Sequence, residues 1–145
     1  MYKHILIATD GSELAAKAVT AGLSLAKALG ARVTALNASE PWTAMIGIEG
    51  AAASFSIDEY EKAVADAATR MFDEVRKQAS SLGVECNTVH VLDFPAEAII
   101  ETAQAQGCDL IVMASHGRRG IARALLGSQA AKVVTLSTVP VLICR

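Results

Sequence analysis

The residues best suited to chemistry lie between Met113 and Ser128. An apolar run from Asp109 to Ala114 passes straight into Ser115, His116, Gly117, Arg118, Arg119 and Gly120, and the segment closes on Leu126, Gly127 and Ser128. Glycines let a backbone approach a ligand closely, and the first N–H groups of a helix have no acceptor within it. A glycine-bearing loop that feeds a helix start is therefore a place to hold an anion. The chain has no GxxxxGK[ST] pattern, so this is not a P-loop. A phosphate here would rest on backbone N–H groups at Gly117, Gly120 and Gly127 and on the Ser128 hydroxyl. The plainer alternative is a long connection with turn glycines and Ser128 as a helix N-cap.

Asp10 is the second candidate. It follows the apolar run Ile5 to Thr9 and opens the polar stretch Asp10, Gly11, Ser12. A carboxylate at the end of a strand can accept ribose hydroxyls or hold a metal that bridges phosphates. Asp and Ser before a helix are also ordinary caps; Ser12 is expected to cap and Asp10 to face a crevice. His116 can donate to a phosphate or fix its own loop. Arg118 and Arg119 can assist an anion or be solvated, and Arg123 reads as surface. His4 and His90 fall inside strands without ligand spacing and read as structural. Asp93 reads as the start of a turn before Pro95. The irregular segment 39–55, with Trp42, could cover the adenine side of a crevice or present a partner surface.

Positioning these residues requires strands that alternate with helices. Residues 4–9, 32–38, 84–92, 109–115 and 139–144 read as strands one to five. Residues 13–29 read as a helix with Leu14, Ala18, Gly22, Leu25 and Leu29 inward and Gly30 as its stop. The capping-box pattern Ser56 to Glu59 starts a long helix that ends near Gly83, with Tyr60, Val64, Ala68, Met71, Val75, Ala79 and Leu82 inward. Pro95 suits the first turn of a third helix, which runs to about Gly107. Residues 128–137 form a fourth. Apolar strands separated by helices imply an α/β fold with a parallel sheet covered on both faces. Right-handed crossovers allow the order 3-2-1-4-5. Strands one and four are then neighbours, and the Asp10 and Gly117 loops share the crevice where ligands bind such sheets.

The chain's 145 residues suit one domain, 52% hydrophobic and 19% charged, with a core of Ala, Val, Leu and Ile because aromatics are only 4%. A net charge of −2 gives no global reason to bind nucleic acid or an anionic membrane. No apolar run is long enough to span a bilayer, and the opening residues lack a signal-peptide pattern. Cys86, Cys108 and Cys144 are odd in number and without CxxC spacing, so neither a disulfide framework nor a zinc site is expected. A cytoplasmic location follows. No GxGxxG follows strand one, which argues against a dinucleotide.

With these residues in view, the chain resembles the universal stress protein family over its whole length, 1–145, as a single domain. The resemblance rests on the opening Ile5 to Ser12, the run Asp109 to Gly117, Leu126-Gly127-Ser128 and the closing Pro140 to Ile143. Nucleotide-binding members carry a glycine, two residues, a second glycine, nine residues, then glycine with Ser or Thr. Gly117 and Gly127-Ser128 match, whereas Ala114 stands in place of the first glycine. That methyl would crowd a ligand if the backbone came very close or if the position required φ > 0, and would be harmless at negative φ.

The resemblance implies a Rossmann-like fold of five parallel strands, ATP at the switch point with Mg²⁺, and a homodimer formed through residues 139–144. It implies a binding set of Thr9, Asp10, Ala38, Met113, Ala114, His116, Gly117, Arg118, Gly127, Ser128 and Gln129. In that set Asp10 would meet the ribose or phosphate side and the metal, and the Ala38 backbone would meet adenine. Met113 and Ala114 would line base and ribose. Gly117, Gly127 and Ser128 would hold phosphates. No nucleophile–base pair or water-positioning carboxylate stands out near the phosphate loop. The expectation is a nucleotide-dependent regulatory protein with unknown protein partners rather than an efficient enzyme, slow ATP hydrolysis being left open. The alternatives are a dimeric interaction module that binds no nucleotide and, more weakly, a receiver domain, for which strand five lacks the required lysine.

Overall fold

Five short runs of β-branched and aliphatic residues pair in parallel. They are β1 (His4–Ala8), β2 (Arg32–Ser39), β3 (Cys86–Leu92), β4 (Leu110–Ala114) and β5 (Val141–Cys144). The computed structural model of the protein describes residues 1–45, 56–117 and 125–145. The strand order is β3-β2-β1-β4-β5, as expected. In register, Ile5 sits between Val33 and Leu110, and Ile111 between Leu6 and Val141.

Between the strands run α1 (Glu13–Leu29), α2 (Ile57–Leu82), α3 (Pro95–Gln106) and α4 (Ser128–Leu136). Their ends follow the capping signals. Ser12 accepts from the Ala15 N–H, Ser56 and Glu59 form a reciprocal capping box, and Pro95 occupies the first turn of α3. The start of β3 is later than expected because of how α2 closes. Gly83 turns left-handed at φ 70°, and Val84 is drawn in to donate its N–H to Ala79 O at 2.9 Å. Val84 is therefore buried as part of the helix stop, and pairing begins at Cys86. At β5 the strand begins after Pro140, which has no N–H to give a ladder.

Helices α1 and α2 cover one face over Ile5, Ile7, Val33, Ala35 and Val112. Helices α3 and α4 cover the other over Leu6, Leu36, Ile111 and Met113. The buried side of α1 is Ala15, Ala18, Val19, Gly22, Leu23 and Ala26, so Leu14, Leu25 and Leu29 stand at its margin rather than at its centre. Gly22 explains the rotation. A Cβ there would lie 2.5 Å from Ile7 Cδ1 and 2.8 Å from Ile7 Cγ1, so α1 lies on β1 through its small residues. On α2, Phe72 rather than Met71 is buried. Because the chain leaves β1 toward one side and reaches β4 on the other, the loops after these two strands part and open a crevice at their carboxyl ends.

Candidate functional site

A cavity of about 740 Å³ fills that crevice. Ten of the residues expected at a ligand line it: Thr9, Asp10, Ala38, Met113, Ala114, His116, Gly117, Gly127, Ser128 and Gln129. Arg118, together with Arg119, Gly120, Arg123 and residues 46–55 of the segment after β2, lies outside the described residues. A second hollow, about 810 Å³, opens at the other end of the sheet between the C-termini of α1, α2 and α3. It contains none of the candidate residues, and its charged lining mixes Lys3, Lys27 and Arg32 with Glu85 and Asp109.

The loop after β1 is tied down from several sides. The Thr9 N–H donates to Leu36 O at 2.9 Å, and the Gly11 N–H donates to Thr9 Oγ1 at 3.2 Å. Buried Asn37 donates from Nδ2 to Thr9 O at 2.9 Å. Thr9 is thus a strut, and Asn37, which carries no sequence signal for a site, positions the residue before Asp10. Asp10 Oδ1 accepts the Ser12 N–H at 2.9 Å, which leaves capping of α1 to Ser12. Asp10 Oδ2 reaches toward the β4 loop. A Cβ on Gly117 would come within 3.0 Å of it, so glycine makes room for the carboxylate between the two loops.

At the far side of the β4 loop the chain returns to the strand end it left. The Gly127 N–H donates to Ser115 O at 2.8 Å. A Cβ on Gly127 would lie 2.7 Å from that oxygen and 3.3 Å from His116 Cα. Glycine is required here for close packing, at an ordinary φ of −59°. Gly127, not Ser128, is the N-cap of α4, and its own amide is already committed to Ser115. The donors that α4 leaves without an intrahelical partner are those of Ser128, Gln129 and Ala130, because the first backbone bond of the helix is Ala131 N–H to Gly127 O. Ser128, whose hydroxyl is not used as the cap, lines the cavity.

Gln129 acts across helices. Its Oε1 accepts the Ala96 N–H at 3.0 Å, serving an α3 N-terminus whose N-cap, Phe94, has no side-chain cap. Lys132 pairs with Glu97 on the same two helices. His116 divides its roles: Nδ1 hydrogen-bonds Ser115 Oγ at 3.0 Å, while buried Nε2 has no hydrogen-bond partner among the described residues. Asp93 Oδ1 accepts the Phe94 N–H at 2.7 Å, as the turn reading requires. His4 Nε2 pairs with buried Thr34 Oγ1 at 2.8 Å, a structural contact.

Ala114 is the one departure from the family glycine pattern. It is 8% exposed, packs with the α1-side core and has no positive φ. The backbone at this position does not demand glycine. Ala114→Gly is accordingly expected to destabilise the fold by roughly 0.5–1 kcal/mol, the cost of glycine within a strand, and to change nucleotide affinity by less than about tenfold (about 1.4 kcal/mol). A denaturant midpoint and a calorimetric titration of both proteins check this. A much larger gain in affinity would identify the methyl as an obstacle.

No Lys or Arg side chain among the described residues lines the cavity; the acidic groups there are Asp10 and Glu40. Anion binding would therefore draw on backbone donors. Tyr60 and Val64 of α2 form an apolar wall, and Trp42 packs on Tyr60 with ring centroids 5.3 Å apart.

The sequence model of the Universal stress protein family matches residues 1–145. The chain is 34% identical to Universal stress protein YxiE of Bacillus subtilis, with all of both chains covered. Among solved structures, the Methanocaldococcus jannaschii protein MJ0577 superposes with a TM-score of 0.81 at 28% identity, covering 99% of this chain and 96% of that one. A universal stress protein solved in complex with cAMP superposes with a TM-score of 0.74 at 29% identity, covering 99% and 97%. Five parallel strands in this order and a match over every residue make the chain a member of the universal stress protein family.

Proposed function

We propose that this single-domain chain binds ATP in the cavity between the β1 and β4 loops and acts as a nucleotide-dependent stress-response or regulatory protein. The observation that carries the reading is the junction at Gly127. It holds the start of α4 against Ser115, where Ser128, Gln129 and Ala130, whose amides have no acceptor within the helix, line the same cavity as Asp10. Backbone N–H groups of this kind bind phosphates without a lysine. The relative that holds cAMP supports an adenine nucleotide as the ligand. Arg118 belongs to the proposed set by position in the motif.

Mg²⁺ fits the donors as a companion of the nucleotide. No group of three or more His, Cys, Asp or Glu occurs among the described residues, so the metal would take one protein carboxylate, Asp10, with phosphate oxygens and water completing its shell. Bound there, it would neutralise phosphate charge. The reading is of a binder rather than an efficient enzyme. The three cysteines are free thiols, in keeping with a proposed cytoplasmic location, and no helix of the described residues is long and apolar enough to cross a membrane. Nucleic acid and membrane have no part in the reading, in line with the net charge of −2.

Calorimetric titration of nucleotide-free protein with ATP and Mg²⁺ tests the proposal. Saturable binding that weakens without Mg²⁺ is expected; absence of heat at every concentration up to millimolar would leave the chain as an interaction module.

We also propose a homodimer through the last strand, residues 139–144. β5 is an edge strand, Leu142 on it is 41% exposed, and Val134 and Leu136 of α4 are exposed as well. An apolar edge of this kind invites pairing, and a lysine on it discourages pairing. Leu142→Lys is expected to convert the dimer to a folded monomer in sedimentation velocity. A wild type that sediments as a monomer, or a variant that stays dimeric, would contradict the assignment.

A further inference from the structure

On the cavity wall Ser39 meets a group behind it, His90, which does not itself line the cavity. Ser39 ends β2, and its Oγ lies 2.9 Å from Nε2 of His90 on β3. Asn37 is the register partner of His90 and Leu92 that of Ser39, so Ser39 and His90 project from the same face of the sheet. Ser39 lines the cavity. His90 is half-buried, and that burial lowers its pKa below the ordinary 6.5, which keeps the imidazole neutral and able to accept a proton at neutral pH. A serine within hydrogen-bond reach of a neutral imidazole is the arrangement of an activated nucleophile.

The surroundings select the electrophile. Tyr60 and Val64 line the cavity with Ser39, and Glu40 follows it. With no Lys or Arg among the described lining residues, a phosphoryl group at Ser39 would have no side-chain counter-charge there, whereas an uncharged acyl group would have an apolar wall. We propose that Ser39 is a nucleophile, with His90 as its general base, that accepts acyl groups from uncharged activated esters. This goes beyond the nucleotide reading and does not rest on it. In the first step Ser39 Oγ bonds to the acyl carbon and the ester C–O bond breaks. The hydroxyl proton passes to His90 Nε2 and then to the departing alkoxide or aryloxide. In the second step water bonds to the acyl carbon, the bond from that carbon to Ser39 Oγ breaks, the proton taken from water by His90 passes to Ser39 Oγ, and the carboxylic acid is released.

The test uses two probes on the nucleotide-free protein: p-nitrophenyl butyrate, followed by p-nitrophenolate release, and an alkyl fluorophosphonate, whose adduct is mapped by peptide mass spectrometry. The adduct is expected on Ser39, with Ser39→Ala and His90→Gln each slowing p-nitrophenolate release by about 100-fold or more. The wild-type rate should bend with a single ionisation below pH 6.5, and His90→Gln should lose the bend. The wild-type adduct site and pH profile do not depend on whether either variant folds. An adduct elsewhere, no adduct, or equal rates in wild type and Ser39→Ala would overturn the proposal.

Discussion

Gly127→Val is expected to abolish ATP binding, weakening it by at least about 100-fold (about 2.7 kcal/mol). Besides His116 Cδ2 of the side chain at 3.3 Å, a Cβ at 127 would meet two backbone atoms: Ser115 O at 2.7 Å and His116 Cα at 3.3 Å. Neither can rotate away, so relief must come from displacing the start of α4 from the β4 strand end. That displacement breaks the Gly127–Ser115 hydrogen bond and moves the three amides proposed to meet phosphate. Overpacking of this kind costs about 1–3 kcal/mol of stability, within the roughly 5–15 kcal/mol of an ordinary domain. A thermal melt run beside the titration separates lost binding from lost folding. Gly117→Ala is the internal contrast. Among the described residues its Cβ would meet only a side-chain atom, the Asp10 carboxylate oxygen at 3.0 Å, and no backbone. A folded Gly127→Val protein with unchanged affinity would mean that phosphate does not rest on the α4 N-terminus.

Ile111→Ala should cost about 2–5 kcal/mol, the price of a large buried side chain cut back to alanine. Ile111 is fully buried near the middle of the sheet, flanked in register by Leu6 and Val141, beneath α3 and α4. The strands on both sides hold its neighbours in place, so the vacated space cannot readily collapse. Urea unfolding at fixed protein concentration should show a lower midpoint with unchanged slope, while the folded fraction keeps its ATP affinity because Ile111 does not line the cavity. A loss below about 1 kcal/mol would show that the core relaxes around the deletion.

Much of this architecture is legible in the sequence because its signals are local. Continuous apolar runs, caps at Ser12 and Ser56 and stops at Gly30 and Gly83 fix elements within a few residues of themselves. Crossover handedness then leaves few strand orders, and the order 3-2-1-4-5 sets the loops carrying Asp10 and Gly117 side by side. The misreadings have equally specific causes. The inward face of α1 is set by Gly22 against Ile7, a contact between elements that brings Ala18, Gly22 and Leu23 inward and leaves Leu14, Leu25 and Leu29 at the margin. Ser128 resembles a cap, but the chain's return to Ser115 puts Gly127 in that position. Asn37 to Thr9 and Ser39 to His90 join residues 28 and 51 positions apart, and no local pattern reports such pairs. The arginines of the glycine loop lie outside the described residues, so their part in the site is carried by the motif alone.

The central place of β1 also has a consequence for how the chain is made. Ile5, Leu6 and Ile7 pair on one side with residues 33–35 and on the other with residues 110–112. A chain emerging from the ribosome can join β1, β2 and β3 under α1 and α2 before β4 is made. Until then one side of β1 is a bare, apolar edge, the kind that recruits other strands. Closing it requires a loop of about a hundred residues, and such distant pairings form slowly. In pulse-labelled exchange during refolding, β2 and β3 amides should gain protection before those of β4 and β5; simultaneous protection would mean that the sheet closes in one step. The same strand that carries Asp10 to the cavity is thus, until β4 arrives, an open edge of the nascent sheet.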